Sequence, residues 1–180
     1  GENMKLLLEN WRQFLNERRI TNSRDDFTCP EEDKYGSVYY DVDRDNPPTI
    51  EQIAKCYVLN DAKVTERSVS GLNPALYNTE ELTKFREYDK ENLRAVQRDD
   101  GSFEELKADI EENGIKEELI IFFGRNGNVY IGEGNHRHQV ALELGIDKIP
   151  VRFVFWRNVS GNSPYSKVYK VDVSSEDGDQ

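Results

Sequence analysis

Both histidines of this 180-residue sequence lie in one seven-residue stretch, 132–138. The stretch also holds a carboxylate, Glu133, a guanidinium, Arg137, and two glycines. An apolar run typical of a strand precedes it at 129–131, and a pattern typical of a helix follows it at 139–144. The first backbone N–H groups of a helix lack partners within the helix and lie at the positive end of its dipole, so they favour anions. The sequence therefore predicts that this turn binds a phosphate group.

Five residues of the turn have a predicted chemical role. Gly132 and Gly134 let the backbone approach an anion without a clash from a Cβ atom. Arg137 can bind a phosphate with two parallel hydrogen bonds. His136 can donate a hydrogen bond to a phosphate oxygen or move a proton near neutral pH. Glu133 is the candidate general base, or the ligand of a water bound to Mg²⁺. We therefore predict Glu133 and His136 as the catalytic residues.

Asn135 and His138 complete the predicted phosphate-binding set, and several of these roles have a structural alternative. Arg137 can instead form an ion pair under the sheet, and Glu133 can be a partner of the helix dipole. His138 is the weaker ligand, and its alternative is a solvated helix residue. His136 and His138 are about 200° apart around a helix, which argues against a shared zinc ion. No protein-bound metal is predicted here.

The composition narrows the classes of partner. The chain has 24 Lys and Arg residues against 35 Asp and Glu residues, a formal net charge of −11. Broad contact with nucleic acid usually needs a basic surface, so the charge disfavours that partner without excluding a local basic site. Hydrophobic residues make up only 36% of the chain, which indicates that part of it lies outside the core. No apolar run reaches about 18 residues, so we expect no membrane span and a cytoplasmic location.

Two further patterns bear on redox state and metals. Cys29 and Cys56 lie 27 positions apart without CxxC spacing, which favours free thiols in a reducing compartment, with one disulfide as the alternative. The acidic run 41–45 is similar to a calcium loop. It lacks the glycine of position six and the glutamate of position twelve, where Gln52 stands. We expect a solvated linker rather than a calcium site.

The chain is predicted to have four parts. They are an amphipathic N-terminal helix at 4–18, an acidic linker with a helical extension at 19–90, a folded domain at 91–156, and a polar tail at 157–180. The first part is helical in pattern because its apolar residues repeat on one face.

The folded domain contains a regular succession of helix and strand patterns. Ser102 and Glu105 form a capping box that starts a helix, and Asn113-Gly114 ends it. The patterns that follow are a strand at 118–123, an Asn126-Gly127 turn, an antiparallel strand at 128–131, the phosphate turn, a helix to Leu144 capped by Gly145, and a strand at 149–156. This succession predicts an α+β fold with a small mixed sheet and flanking helices.

Weaker patterns predict elements outside this succession. Capping boxes at 49–52 and 78–81 each open a helix in the extension. Residues 93–96 have the apolar pattern of a short strand, and 167–173 can add an edge strand to the sheet.

Residues 102–155 resemble the ParB/sulfiredoxin family. The segments that carry the resemblance are Phe103…Leu106…Ile110, Asn113-Gly114-Ile115, Leu119-Ile120-Ile121, Gly127…Tyr130-Ile131-Gly132-Glu133-Gly134-Asn135-His136-Arg137, Ala141…Leu144-Gly145 and Ile149-Pro150-Val151. Members of this family bind nucleotides or phosphates in the glycine-rich turn. The resemblance therefore implies a ParB/sulfiredoxin-like fold and a nucleotide or phosphodiester as the partner.

The resemblance also carries individual residues over, with departures. Arg137 matches the family's last arginine of the turn, and His136 matches the histidine found before that arginine in reductases and kinases. Glu133 matches the acidic residue ahead of the turn in partition proteins. Asn135 stands where reductases have their catalytic cysteine, which argues against sulfinic-acid reduction. Gly134 and Asn135 stand where partition proteins have paired arginines, which argues against a CTP clamp.

Two classes of function stay open at this point. The first is an enzyme acting on a nucleotide or phosphodiester, namely a ParB-like nuclease, a nucleotide phosphohydrolase (NTPase) or a kinase, with Mg²⁺ and ATP or CTP as cofactor. Retention of Glu133, His136 and Arg137 favours this class. The second is a non-catalytic interaction module that binds a protein partner through the helix at 4–18. The acidic surface favours the second class.

The N-terminal segment carries a resemblance of its own. Residues 4–12 are similar to N-terminal segments on assorted proteins of large tailed phages and marine viruses. The triplets Leu7-Leu8-Glu9 and Leu15-Asn16-Glu17 fit the Leu-x-Glu rule of prohead proteases in such phages. The resemblance implies a phage protein that is packaged in the virion with its leader removed, or that acts in the infected host cell.

Overall fold

The structure is a computed structural model that describes residues 23–29, 42–59, 74–95, 101–156, 158–161, 164 and 166–173. Its helices there are α1 (Ile50–Leu59), α2 (Lys90–Ala95), α3 (Phe103–Asn113) and α4 (Asn135–Leu144). Its strands are β1 (Ala75–Asn78), β2 (Leu119–Gly124), β3 (Asn128–Glu133), β4 (Lys148–Trp156) and β5 (Tyr169–Lys170), and a 3-10 helix spans Thr83–Phe85. The fold is therefore α+β, and this prediction is confirmed.

The five strands form one mixed sheet in the order β1-β4-β2-β3-β5. The central strands β2 and β4 are parallel neighbours, whereas the other three pairs are antiparallel. The predicted Asn126-Gly127 turn joins β2 to β3. Parallel neighbours need a crossover connection, and β3 together with α4 makes it here. The turn at 132–138 lies inside that crossover, where β3 passes into α4.

Helices α1 and α4 pack against the central strand β2. Alternate residues of the two central strands are buried: Leu119, Ile121, Phe123, Ile149, Val151, Phe153 and Phe155. This period of two is the pattern by which a strand buries one side. Helix α1 packs against the same residues, and the Tyr57 hydroxyl on α1 donates a hydrogen bond to the Trp156 carbonyl at 2.8 Å. This hydrogen bond and the contact of the Tyr57 and Phe155 rings fix α1 to β4.

Two of the three capping boxes predicted from the sequence mark the starts of helices. The Ser102 hydroxyl accepts the Glu105 N–H, and the Glu105 carboxylate accepts the Ser102 N–H, at the start of α3. Thr49 and Gln52 form the same reciprocal pair before α1. Gly145 ends α4 in the left-handed region, with φ of 68°. These helix predictions are confirmed.

The short strand predicted at 93–96 is wrong. Residues 93–95 belong to helix α2, and Leu93 is buried. An apolar run of four residues is compatible with either element, so its pattern could not separate them.

The helix predicted to begin at Asn78 is also wrong. Asn78 ends β1, and its side-chain oxygen accepts the N–H groups of Glu80 and Glu81 in a turn. Asparagine closes such turns by the same hydrogen bonds with which it caps helices. The 3-10 helix that follows places Phe85 in the core, and Leu82 just before it is buried as well.

The sheet and its core draw on residues before position 91. Strand β1 is an edge strand paired with β4, and α1 supplies part of the core. The predicted boundary between 19–90 and 91–156 therefore divides one core. The tail contributes too, because β5 pairs with β3 inside the edge-strand pattern predicted at 167–173.

Cys29 and Cys56 form a disulfide, with their Cα atoms 5.5 Å apart. The prediction of free thiols is therefore wrong, and the disulfide that was its alternative is present. The bond ties segment 23–29 to α1. The same segment is held by Arg24, whose guanidinium donates two hydrogen bonds of 2.8 Å to Glu81.

The acidic run near Asp43 forms a turn. Its carboxylate accepts the N–H groups of Asp45 and Asn46 at 2.9 and 2.8 Å. Within the described ranges, no three His, Cys, Asp or Glu side chains are placed to hold a metal ion. No helix in those ranges is long and apolar enough to cross a membrane. The helix predicted at 4–18 lies outside the described residues.

Candidate functional site

The turn lies between the last residue of β3, Glu133, and the first residue of α4, Asn135. Gly134 caps the helix with φ of 93°, a conformation that favours glycine. Its carbonyl accepts the His138 N–H at 2.9 Å, which closes the first helical turn. Among the described residues, the backbone N–H groups of residues 135–137 have no acceptor. These N–H groups are the donors that an anion uses at the start of a helix.

Packing within the protein explains both glycines of the turn. A Cβ atom at Gly132 would overlap the Phe122 ring on β2. A Cβ atom at Gly134 would overlap the Leu119 side chain and would lie 3.1 Å from two nitrogens of the Arg137 guanidinium. Because Gly134 has no side chain, the positively charged Arg137 guanidinium can lie next to the turn.

Asn135 is engaged in the fold. It is buried, and its side-chain oxygen accepts the Glu87 N–H at 3.0 Å. Its side-chain nitrogen donates to the Ile131 carbonyl at 2.8 Å. Both ends of the amide thus have partners in this conformation, and they fix the segment around Glu87 to the turn.

His138 is a core residue with no exposed surface. Its Nε2 lies 2.8 Å from the Thr79 carbonyl oxygen, and because a carbonyl only accepts, Nε2 carries the hydrogen and donates. Burial, with the nearby charge of Arg86, lowers the pKa of His138 to about 4. The alternative of a solvated helix residue is wrong. A ligand that arrives from solvent does not reach this side chain in this conformation.

Arg137 forms an ion pair with a glutamate of the neighbouring loop. Its Nη1 donates to Glu117 Oε2 at 2.7 Å. A second ion pair lies nearby, in which Arg152 Nε is 2.5 Å from Glu118 Oε1. A hydrogen bond from its own backbone and the positive charges of Arg152 and Arg137 hold the pKa of Glu118 below its ordinary value. Both arginines near the turn therefore have carboxylate partners.

His136 is partly exposed and connects three helices. Its Nε2 lies 3.2 Å from the Leu93 carbonyl on α2, and its ring lies 6.4 Å from the Phe103 ring on α3. Because the carbonyl only accepts, Nε2 donates there, and Nδ1 is the nitrogen that can accept a proton.

Glu133 is exposed at the end of β3. Its carboxylate forms no hydrogen bond or ion pair with the residues that the structure describes. The structure thus places Glu133, His136 and Arg137 around one turn with some exposure, whereas Asn135 and His138 are buried beneath it.

One acidic residue near the turn was not found from the sequence. Glu87 is buried, and its carboxylate accepts a hydrogen bond of 2.7 Å from the Ser166 hydroxyl. Burial, followed by the negative charges of Glu87 and Glu133 among other groups, raises the pKa of Tyr130. The contact between Glu87 and Asn135 joins positions 48 residues apart, so no local spacing signal could have revealed it.

Comparisons with known proteins give one structural match. No family model matches the chain, and no curated protein matches it. Among solved structures, sulfiredoxin from Arabidopsis thaliana is 20% identical, over 47% of this chain and 88% of that chain, with a TM-score of 0.29. A likeness at this level assigns no activity to the turn.

The order of elements from α3 to β4 is the one that the family resemblance implied. A helix, a strand, a hairpin, the glycine-rich turn, a helix and a strand follow one another there. Neither the comparisons nor the described residues bear on the phage resemblance, so the packaged-protein hypothesis stays a prediction. The chain has a mixed α+β fold with one five-stranded sheet.

Proposed function

We propose that the protein binds the phosphate group of a nucleotide or phosphodiester at the turn 132–137. The position of Arg137 carries this proposal. Its guanidinium lies against Gly134 at the start of α4, beside backbone N–H groups that have no acceptor among the described residues. A guanidinium and the N-terminus of a helix both stabilise a phosphate anion.

The reaction that we propose at this turn is attack of water or of an acceptor hydroxyl on the phosphorus of the bound nucleotide or phosphodiester. The P–O bond on the far side breaks, and the alcohol or the remaining nucleotide leaves. Glu133 is exposed and without partners in the described part of the chain, which suits a general base or a ligand of a water on Mg²⁺. His136 would hold or donate a proton. Because the described residues offer no cluster of three metal ligands, Mg²⁺ would arrive with the phosphates of ATP or CTP, as this ion commonly does.

Calorimetry with inorganic phosphate, ATP and CTP, each with and without Mg²⁺, tests the binding. We expect heat of binding for at least one of them at millimolar concentration or below. Backbone amide shifts in NMR spectra should be largest at residues 134–137. Absence of binding by all three ligands, with and without Mg²⁺, would contradict the proposal.

The catalytic part is tested separately with Glu133→Gln, which keeps the shape of the side chain and removes its charge. Release of phosphate should collapse while affinity for the nucleotide falls little or rises. Equal turnover by Glu133→Gln and wild type would remove the catalytic role.

A second candidate is a non-catalytic interaction module whose fold a bound nucleotide stabilises. Two observations favour it: the net charge of −11, and the burial of Asn135 and His138 in the fold rather than at the surface of the turn. Binding that raises the melting temperature without any turnover would support this candidate over the enzyme.

A further inference from the structure

The two partners of the ion pair between Arg137 and Glu117 differ strongly in solvent exposure. The Arg137 side chain is 17% exposed, whereas the Glu117 side chain is 83% exposed. The arginine is held by its surroundings at Gly134, and the glutamate reaches it from the loop between α3 and β2. One partner is therefore fixed in the site, and the other can leave it for water with few other contacts to break.

The Glu117 carboxylate is an anion on the guanidinium that is proposed to bind phosphate. The bond is 2.7 Å long, which is typical of a charge-assisted hydrogen bond. Arg152 in the same region is paired through its Nε with Glu118, so part of its charge is already balanced by a carboxylate. Arg137 Nε and Nη2 lie next to Gly134, whereas Nη1 holds the Glu117 carboxylate, so a phosphate that extends to Nη1 competes with this carboxylate.

We propose that Glu117 is a tethered competitor that occupies Arg137 until a phosphate ligand displaces it. This inference rests on the proposed function and concerns the regulation of the same site. Glu117 lowers the affinity of the site for weakly charged or singly charged anions, so the site responds to ligands that form several hydrogen bonds with the turn at once. The loop between α3 and β2 changes its contacts when the ligand binds.

Glu117→Gln tests this inference, because it removes the competing charge and keeps the size of the side chain. Glu112→Gln is the matched control, since it removes the same charge from an exposed position of α3. The dissociation constant of inorganic phosphate should fall about two- to fivefold in Glu117→Gln, the range of a surface ion pair of about 0.4–1 kcal/mol. Glu112→Gln should bind as the wild type does.

The double variant Arg137→Ala, Glu117→Gln separates displacement from a general effect of charge. In the Arg137→Ala background, Glu117→Gln should no longer strengthen binding. One outcome would overturn this inference and leave the proposed function standing. In that outcome Arg137→Ala binds phosphate more weakly than the wild type, and Glu117→Gln binds it with the same affinity as the wild type or more weakly. No phosphate binding in any variant would overturn both.

Discussion

Arg137 and His138 are sequence neighbours with opposite surroundings. Successive residues of a helix point about 100° apart, so one motif can serve two environments. Arg137 lies against the turn with a carboxylate partner, whereas His138 is enclosed in the core and donates to the Thr79 carbonyl. The histidine therefore belongs to the core, whereas the arginine side chain reaches the surface beside the turn.

His138 should make the stability of the protein depend on pH. Burial lowers its pKa to about 4 in the folded protein, whereas its ordinary value is about 6.5. As the pH falls, the unfolded chain binds the proton first, so the contribution of His138 is complete above about pH 6.5 and is lost towards pH 4. The loss should approach about 3 kcal/mol at the lower end.

Urea unfolding between pH 7.5 and 4.5 measures this loss, with His138→Gln as the control. Glutamine keeps an N–H donor for the Thr79 carbonyl and does not titrate. The difference in stability between wild type and variant should shrink as the pH falls. A constant difference across this range would show that His138 is not the titrating group.

Among the strands, β2 and β3 approach each other closely at Gly132, just before the turn. Gly132 has no positive φ, so its backbone is unstrained, yet a Cβ atom there would overlap the Phe122 ring. Gly132→Ala should therefore destabilise the protein by about 1–3 kcal/mol, as overpacking does. Chemical unfolding measures the change.

Phe122→Ala is the partner variant in this experiment. Removal of the ring opens the space that the new methyl group needs, so Gly132→Ala should cost less in that background than alone. Strictly additive effects of the two substitutions would argue that the ring does not limit position 132.

The predictable elements are those with side chains that determine a helix or turn end locally. The capping boxes before α1 and α3 and the Asn126-Gly127 turn are of this kind. The predictions of a strand at 93–96 and of a helix beginning at 78–81 were wrong. Short apolar runs and asparagine turns are compatible with more than one element. The burial of Leu93 and the hydrogen bond from Asn78 to Asp147 are contacts with distant parts of the chain that a local pattern does not show.

The candidate site was predictable only in part. The position of the turn between β3 and α4 followed from local patterns. The contact of Asn135 with Glu87 and that of Arg137 with Glu117 join positions 48 and 20 residues apart. Such partners are set by the crossover and by the path of the chain, so no motif could reveal them.

For the whole molecule, the disulfide connects segment 23–29 to the core through α1. It closes a loop between residues 27 positions apart, for which chain entropy predicts about 3.5 kcal/mol of stabilisation. Reduction, or the double variant Cys29→Ser, Cys56→Ser, should lower the free energy of unfolding by roughly this amount.

Guanidinium unfolding with and without a reductant measures the effect of the disulfide. The double serine variant is the control, because a reductant should leave its unfolding curve unchanged. Identical curves for oxidised and reduced wild type would show that the bond does not stabilise the fold.

The most direct test of the phosphate site is the affinity of Arg137→Ala for the ligand that the wild type binds best. A charge-assisted hydrogen bond contributes about 1.5–3 kcal/mol, so binding should weaken about 10- to 100-fold. Arg137→Lys should recover only part of this, since the fork of two hydrogen bonds is lost. Arg44→Ala, which removes the same charge from an exposed loop, should bind as the wild type does. Equal affinity of Arg137→Ala and wild type in calorimetry would contradict a phosphate site at this turn.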